Sequence, residues 1–117
     1  DGGLRLRVHL GRQPGPALMA KKVDDDAIAA FLKGAEDWSR EGDSIVRDFK
    51  AASDRDAVRA IGRIADLAIG ANHHPELTWV YDSLHIVLST HDVGGLTKKD
   101  LHLAGCIDDV LADTPSA

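Results

Sequence analysis

The sequence predicts an α+β domain: a four-stranded antiparallel sheet with helices on one face, in the order αββαββα. Two observations predict it. Three segments repeat apolar residues at helical spacing, and two pairs of short strand-like runs each fold about a tight turn. Hairpins give antiparallel pairs, and helices in the gaps cover one sheet face.

The elements follow in order from Asp24. Asp24, Asp25 and Asp26 favour a helix N-terminus, and Ile28, Phe31, Leu32 and Ala35 then recur with helical period. Residues 38–40 and 44–49 flank Glu41-Gly42-Asp43, where Gly42 can take positive φ, and Ile45, Arg47 and Phe49 alternate with Val46 and Asp48. That is the first hairpin. Ser53 and Asp56 are spaced for a capping box ahead of a face made by Ala57, Val58, Ile61, Ile64, Ala65 and Ala68. This helix ends near residues 70–72, because Pro75 forces His74 into an extended conformation. Leu77, Trp79 and Tyr81 alternate with Thr78 and Val80, and a β-branched run covers residues 84–90, with Asp82-Ser83 as the turn between them. After Gly94-Gly95, Thr97 and Asp100 can cap a last helix carrying Leu101, Ala104, Ile107 and Leu111.

The chain of 117 residues is one domain's worth, 44% hydrophobic and 28% charged, with no apolar run long enough for a membrane span. Residues 1–20, with Gly2-Gly3 and Pro14-Gly15-Pro16, show no stable period and read as a flexible leader or tail, leaving 21–117 as the domain. An arginine-bearing leader is also compatible with an organelle-targeting remnant; otherwise the expected location is cytoplasmic. Residues 1–22 carry five basic side chains against one acidic one, and residues 23–117 carry nine against eighteen. An acidic body argues against direct nucleic-acid binding, which draws its affinity from basic side chains on phosphates. Small molecules or further copies of the chain are the expected partners. Cys106 is the single cysteine, so no disulfide forms within the chain; no cationic neighbour in sequence favours its thiolate, and it reads as a core filler.

The histidines carry the chemistry. His73 and His74 stand where the second long helix meets a strand, and His91 follows the last strand. If the second hairpin pairs about its turn, the start of its first strand lies opposite the end of its second, so His74 and His91 share one end of the sheet. Imidazole titrates near pH 6.5 and can serve as acid or base, which suits proton transfer. Asp92 or Glu76 could complete a metal site, but adjacent histidines usually diverge and no metal-ligand spacing is present, so no metal is expected. His85, in mid-strand, and His102, beside the leucines of the last helix, read as ordinary residues.

Asn72-His73-His74-Pro75-Glu76, Tyr81, Ser89-Thr90-His91-Asp92, Gly95-Leu96-Thr97 and Asp100 together resemble the signature of the pterin-4a-carbinolamine dehydratase family. Trp38, Ile45, Arg47, Phe49, Ala57 and Ile64-Ala65 extend the resemblance over about residues 24–112. It implies an enzyme, a hydro-lyase that dehydrates 4a-hydroxytetrahydropterin to quinonoid dihydropterin in tetrahydrobiopterin recycling, with no metal or organic cofactor. By motif position, His73 and His91 would be the acid–base pair and His74 would help bind and orient the pterin. Pro75 and the segment Thr90, His91, Asp92 and Val93 would line the pocket, and Asp100 would steady a histidine or the loop before the last helix. Relatives are dimers or tetramers, and some act as non-catalytic dimerising or assembly adaptors, which is the alternative reading.

Two departures stand out. Ile69 lies one helical turn before His73, where the family usually has a polar or acidic side chain, so a carboxylate that would orient His73 is missing there. Ala51, Asp54 and Ala60 stand where the family has phenylalanines, leaving Phe49 of that aromatic set.

Overall fold

The computed structural model describes the backbone of residues 5–9 and residues 21–117. Along the described chain run β1 (Arg5–His9), α1 (Asp25–Gly34), β2 (Trp38–Glu41), β3 (Ser44–Lys50), α2 (Asp54–Ala71), β4 (Glu76–Val80), β5 (Ser83–Leu88) and α3 (Lys98–Ala112). The sheet is antiparallel throughout, in the order β1-β4-β5-β3-β2. Its body is the expected pair of hairpins joined through β3 and β5. β1 adds a fifth strand against the edge of β4. It comes from the segment read as a flexible leader, whose remaining residues lie outside those described. Leu6 and Val8 alternate with arginines, but five residues of period two say little until their partner strand is known.

Local chemistry sets each helix end. The Asp24 carboxylate accepts from Ala27 N–H at 2.8 Å, and the Ser53 hydroxyl accepts from Asp56 N–H at 3.1 Å. α2 stops at Asn72, which takes the left-handed conformation at φ 54° and returns its N–H to the last turn. Thr97 and Asp100 close the predicted capping box of α3.

Helix α2 buries Ala57, Ala60, Ile64 and Ala68, while Val58, expected on the inner face, is exposed. The buried set keeps strict three- and four-residue steps, which rotate Val58 outward. The same sheet face contributes Ile45, Leu77, Leu84, Ile86 and Leu88 to a core completed by Ile28, Leu103, Ile107 and Leu111. Arg47 also lies on this face, where its terminal nitrogens are paired while its buried Nε has no hydrogen-bond partner among the described residues. Asp108 accepts from both Arg47 and the Nε1–H of buried Trp38, Asp37 sits 3.4 Å from the guanidinium, and the guanidinium lies over the Phe49 ring at 5.8 Å. Ala51 and Ala60 are buried, so small side chains fill the core where the family carries phenylalanines; Asp54 is exposed at the start of α2.

The second hairpin differs from expectation by one residue. Val80 pairs with Ser83, so the turn is Tyr81-Asp82, and Tyr81 takes φ 59°. The first hairpin turns alike on Gly42 at φ 61° between Glu41 and Ser44. Tyr81 therefore occupies a backbone position that suits glycine or asparagine. No helix of the described residues is long and apolar enough to cross a membrane.

Candidate functional site

Pro75 starts β4 one residue later, and Glu76 pairs with Val87 near the end of β5. The register brings the residues before β4 level with those after β5. His74 and His91 accordingly line one hollow of about 150 Å³, together with Ser44, Glu76, Val87 and Ser89. It opens on the sheet face opposite the helices, since Ser44, Glu76, Val87 and Ser89 alternate with the core positions of their strands.

His91 is exposed at the start of a single tight turn spanning His91–Val93. That turn is held from both ends. Thr90 N–H donates to Gly95 C=O at 2.8 Å, Val93 N–H to Thr90 C=O at 3.2 Å, and Gly94, at φ 64°, donates to His91 C=O at 3.1 Å. An imidazole open to solvent is thus mounted on backbone with little freedom. His74 is half-buried, and its Nδ1 is buried with no hydrogen-bond partner among the described residues. Buried polar atoms are nearly always paired, so this nitrogen is an exception in a residue that also borders the hollow.

His73 is placed differently. Its side chain has no exposed surface, and its Nε2 is hydrogen-bonded to Oδ1 of Asp100, which is equally buried. The other oxygen of Asp100 accepts from the Thr90 hydroxyl at 2.7 Å and from Thr97 N–H at 2.9 Å. The Thr90 hydroxyl has spent its one hydrogen on Asp100, so the Thr97 hydroxyl donates to it across 2.9 Å. One carboxylate thereby joins the end of α2, the end of β5 and the start of α3. Asp100 is thus hydrogen-bonded both to a histidine and to the segment leading into α3.

Of the residues expected around a pterin, His74 and His91 line the hollow just described, and Thr90 and Pro75 are buried. Asp92 is exposed and Val93 half-buried outside the hollow's lining. Ser44 and Val87 were not named in advance, and Glu76 and Ser89 were named only within the motif or as a possible metal ligand; the signal for all four is the alternation of β3, β4 and β5, which puts them on the open face. Ile69 is 69% exposed, so the absent carboxylate at this position leaves no gap beside His73, whose orientation comes from Asp100 instead.

Elsewhere, His85 Nδ1 lies 2.6 Å from Asp48 Oδ1, a cross-strand pair on the open face. Cys106 packs half-buried against the core as expected, but its Sγ is 3.7 Å from Nε2 of His102, one turn earlier. Among the described residues no group of three or more His, Cys, Asp or Glu side chains converges to hold a metal ion.

Comparison with known proteins agrees with the motif. A family model described as Pterin 4 alpha carbinolamine dehydratase matches residues 21–110. A Thermomicrobium roseum protein assigned by name to the pterin-4-alpha-carbinolamine dehydratases is 40% identical over 83 residues, covering 71% of this chain and 89% of its own. A Mycobacteroides abscessus protein named in the same way is 44% identical over 86 residues, 74% of this chain and 92% of its own. The crystal structure of a transcriptional coactivator/pterin dehydratase from Brucella melitensis superposes with a TM-score of 0.76 at 22% identity, covering 78% of this chain and 99% of its own, and so shares the fold. With a family model spanning most of its length and relatives near 40% identity, the chain belongs to the pterin-4-alpha-carbinolamine dehydratase family.

Proposed function

We propose that the protein dehydrates 4a-hydroxytetrahydropterin to quinonoid dihydropterin by proton transfer at the His74–His91 hollow. The observation that carries this reading is the pair of imidazoles lining one small hollow at the end of the sheet. For the carbon–oxygen bond at C4a to break, the hydroxyl must receive a proton and leave as water while a ring nitrogen gives one up. Two imidazoles in opposite protonation states supply both transfers, and a return of the proton between them or through water resets the site.

In this reading His91 and His74 face the pterin. His73, fully buried and bound to Asp100, acts as the positioning residue that holds the chain entering β4. This modifies the motif-based expectation, which paired His73 with His91, because proton exchange with a ligand needs a ring the ligand can reach. Pro75, Thr90, Asp92 and Val93 then shape the rim and the backbone beneath it. The setting we infer is tetrahydrobiopterin recycling in the cytoplasm.

We also read the chain as a homodimer or homotetramer. Val58, 47% exposed, and Ile69, 69% exposed, leave apolar surface on α2 that a second copy would cover. The same surface supports the second reading, an assembly adaptor; the coactivator half of the Brucella protein's name is in keeping with it. The two readings part in one assay. Freshly generated 4a-hydroxytetrahydropterin should lose water faster with the native chain than spontaneously, and His91→Ala should abolish most of the gain. No acceleration by the native chain would leave the adaptor reading standing.

A further inference from the structure

Gly94 and Gly95 follow the His91 turn, and only the first is asked for by its backbone. Gly94 has φ 64°, whereas Gly95 lies outside the left-handed region and is buried. What keeps a side chain out at Gly95 is a neighbour. A methyl group on its Cα would stand 2.6 Å from Cε of Lys22 and 3.6 Å from its Cγ and Cδ. The stem of Lys22 is therefore laid across this glycine.

The backbone brings Lys22 there. Lys22 and Val23 lead into α1; Val23 packs half-buried against the core, while Lys22 is exposed. Val23 N–H donates to Leu96 C=O at 2.8 Å, and Lys22 pairs antiparallel with Thr97. On the other side Thr90 N–H donates to Gly95 C=O at 2.8 Å. Residues 95–97 thus run between the lead-in to α1 and the residue immediately before His91.

Among the described residues the Lys22 ammonium enters no ion pair, so its side chain is engaged through methylenes. Long basic side chains cover apolar surface in this way while the charged end stays in water. The Asp100 carboxylate grips the neighbouring chain at the Thr90 hydroxyl and at Thr97 N–H. Gly95 carries the backbone pairing nearest His91 and has no side chain of its own to interlock, and there the stem of Lys22 supplies the packing.

We propose that Lys22 is a positioning residue for His91: its stem, packed over Gly95, holds the Thr90–Gly95 pairing and with it the turn that carries the imidazole. The hold on the turn stands on this geometry, and its consequence for the rate rests on the dehydratase reading. A loosened turn spreads His91 over poses of which fewer reach the proton, so kcat falls while KM changes little.

The test reads amide hydrogen exchange and dehydration kinetics on the full chain, native and as Lys22→Ala, Lys22→Met, Gly95→Ala and the double variant Lys22→Ala/Gly95→Ala. Lys22→Ala should speed exchange at Thr90 and Gly94 about tenfold and leave the core amide of Ile86 unchanged. It should lower kcat about fivefold with KM within about twofold of the native value. Lys22→Met keeps a stem and drops the charge, and should restore both. Gly95→Ala displaces the stem and should match Lys22→Ala, and the double variant should be no worse than either, because the same contact is lost in all three. Unchanged exchange at Thr90 and Gly94 in Lys22→Ala, or an equal rise at Ile86, would overturn the proposal. So would a Lys22→Met variant as loose as Lys22→Ala, or single effects that multiply in the double variant. If the native chain does not accelerate dehydration, the dehydratase reading itself fails, and the exchange rates decide the hold of Lys22 on the turn by the same outcomes.

Discussion

The fully buried ring of His73 is held by one oxygen of Asp100, while the other oxygen takes the hydroxyl of Thr90, the residue immediately before His91. Two histidines eighteen positions apart are therefore referenced to one carboxylate. Replacing Asp100 by Asn keeps the shape but turns one acceptor into a donor that faces donors. Asp100→Asn should cost about 2–3 kcal/mol of stability, read as a lower midpoint in urea denaturation. Thr90→Val, which removes a single hydroxyl, should cost about 1–2 kcal/mol in the same measurement.

His73 and His91 should separate cleanly when each is changed to alanine. His91 is exposed on its loop, so His91→Ala should change stability by no more than about 0.5 kcal/mol. The same variant should lower kcat by about a hundredfold, the usual worth of a positioned acid or base. His73→Ala leaves a cavity and strips one oxygen of the buried Asp100 carboxylate of its imidazole partner, and should lose about 3 kcal/mol. Thermal melts and dehydration kinetics on the two variants check the pair.

Ile69→Glu restores the kind of residue usual in the family one turn before His73. Since Asp100 already orients that ring and Ile69 points into solvent, kcat should stay within about twofold of the native value. A clear rise in kcat would mean that orientation of His73 still limits the reaction.

Tyr81 turns the second hairpin at φ 59° with most of its side chain exposed. Asparagine tolerates that conformation better and gives up little buried surface. Tyr81→Asn should raise stability by about 0.5–1 kcal/mol, seen as a higher unfolding midpoint.

Much of this architecture is legible in sequence because its signals are local. Ser53 with Asp56, Thr97 with Asp100, and the spacing of Ile64, Ala68, Leu77 and Ile107 each fix an element without knowledge of its neighbours. The convergence of His74 and His91 is also readable, since a hairpin register follows from its turn even when the turn is misplaced by one residue. What escapes depends on pairing between distant segments. Nothing in a single sequence shows that Asp48 meets His85, because that contact needs β3 beside β5. Nor does it show that His73 turns inward and His74 outward, which is decided by where the Asp100 carboxylate lies once α3 has docked. The β1 strand is similar, its short alternation acquiring meaning only against β4.

The most direct test is the rate of dehydration of 4a-hydroxytetrahydropterin, followed by absorbance as the quinonoid product forms, with native protein, His74→Ala and His91→Ala. The native chain should exceed the spontaneous rate, and each variant should lose about a hundredfold or more of that enhancement while remaining folded. Full activity in both variants, or no enhancement by the native chain, would contradict the assignment of proton transfer to this hollow.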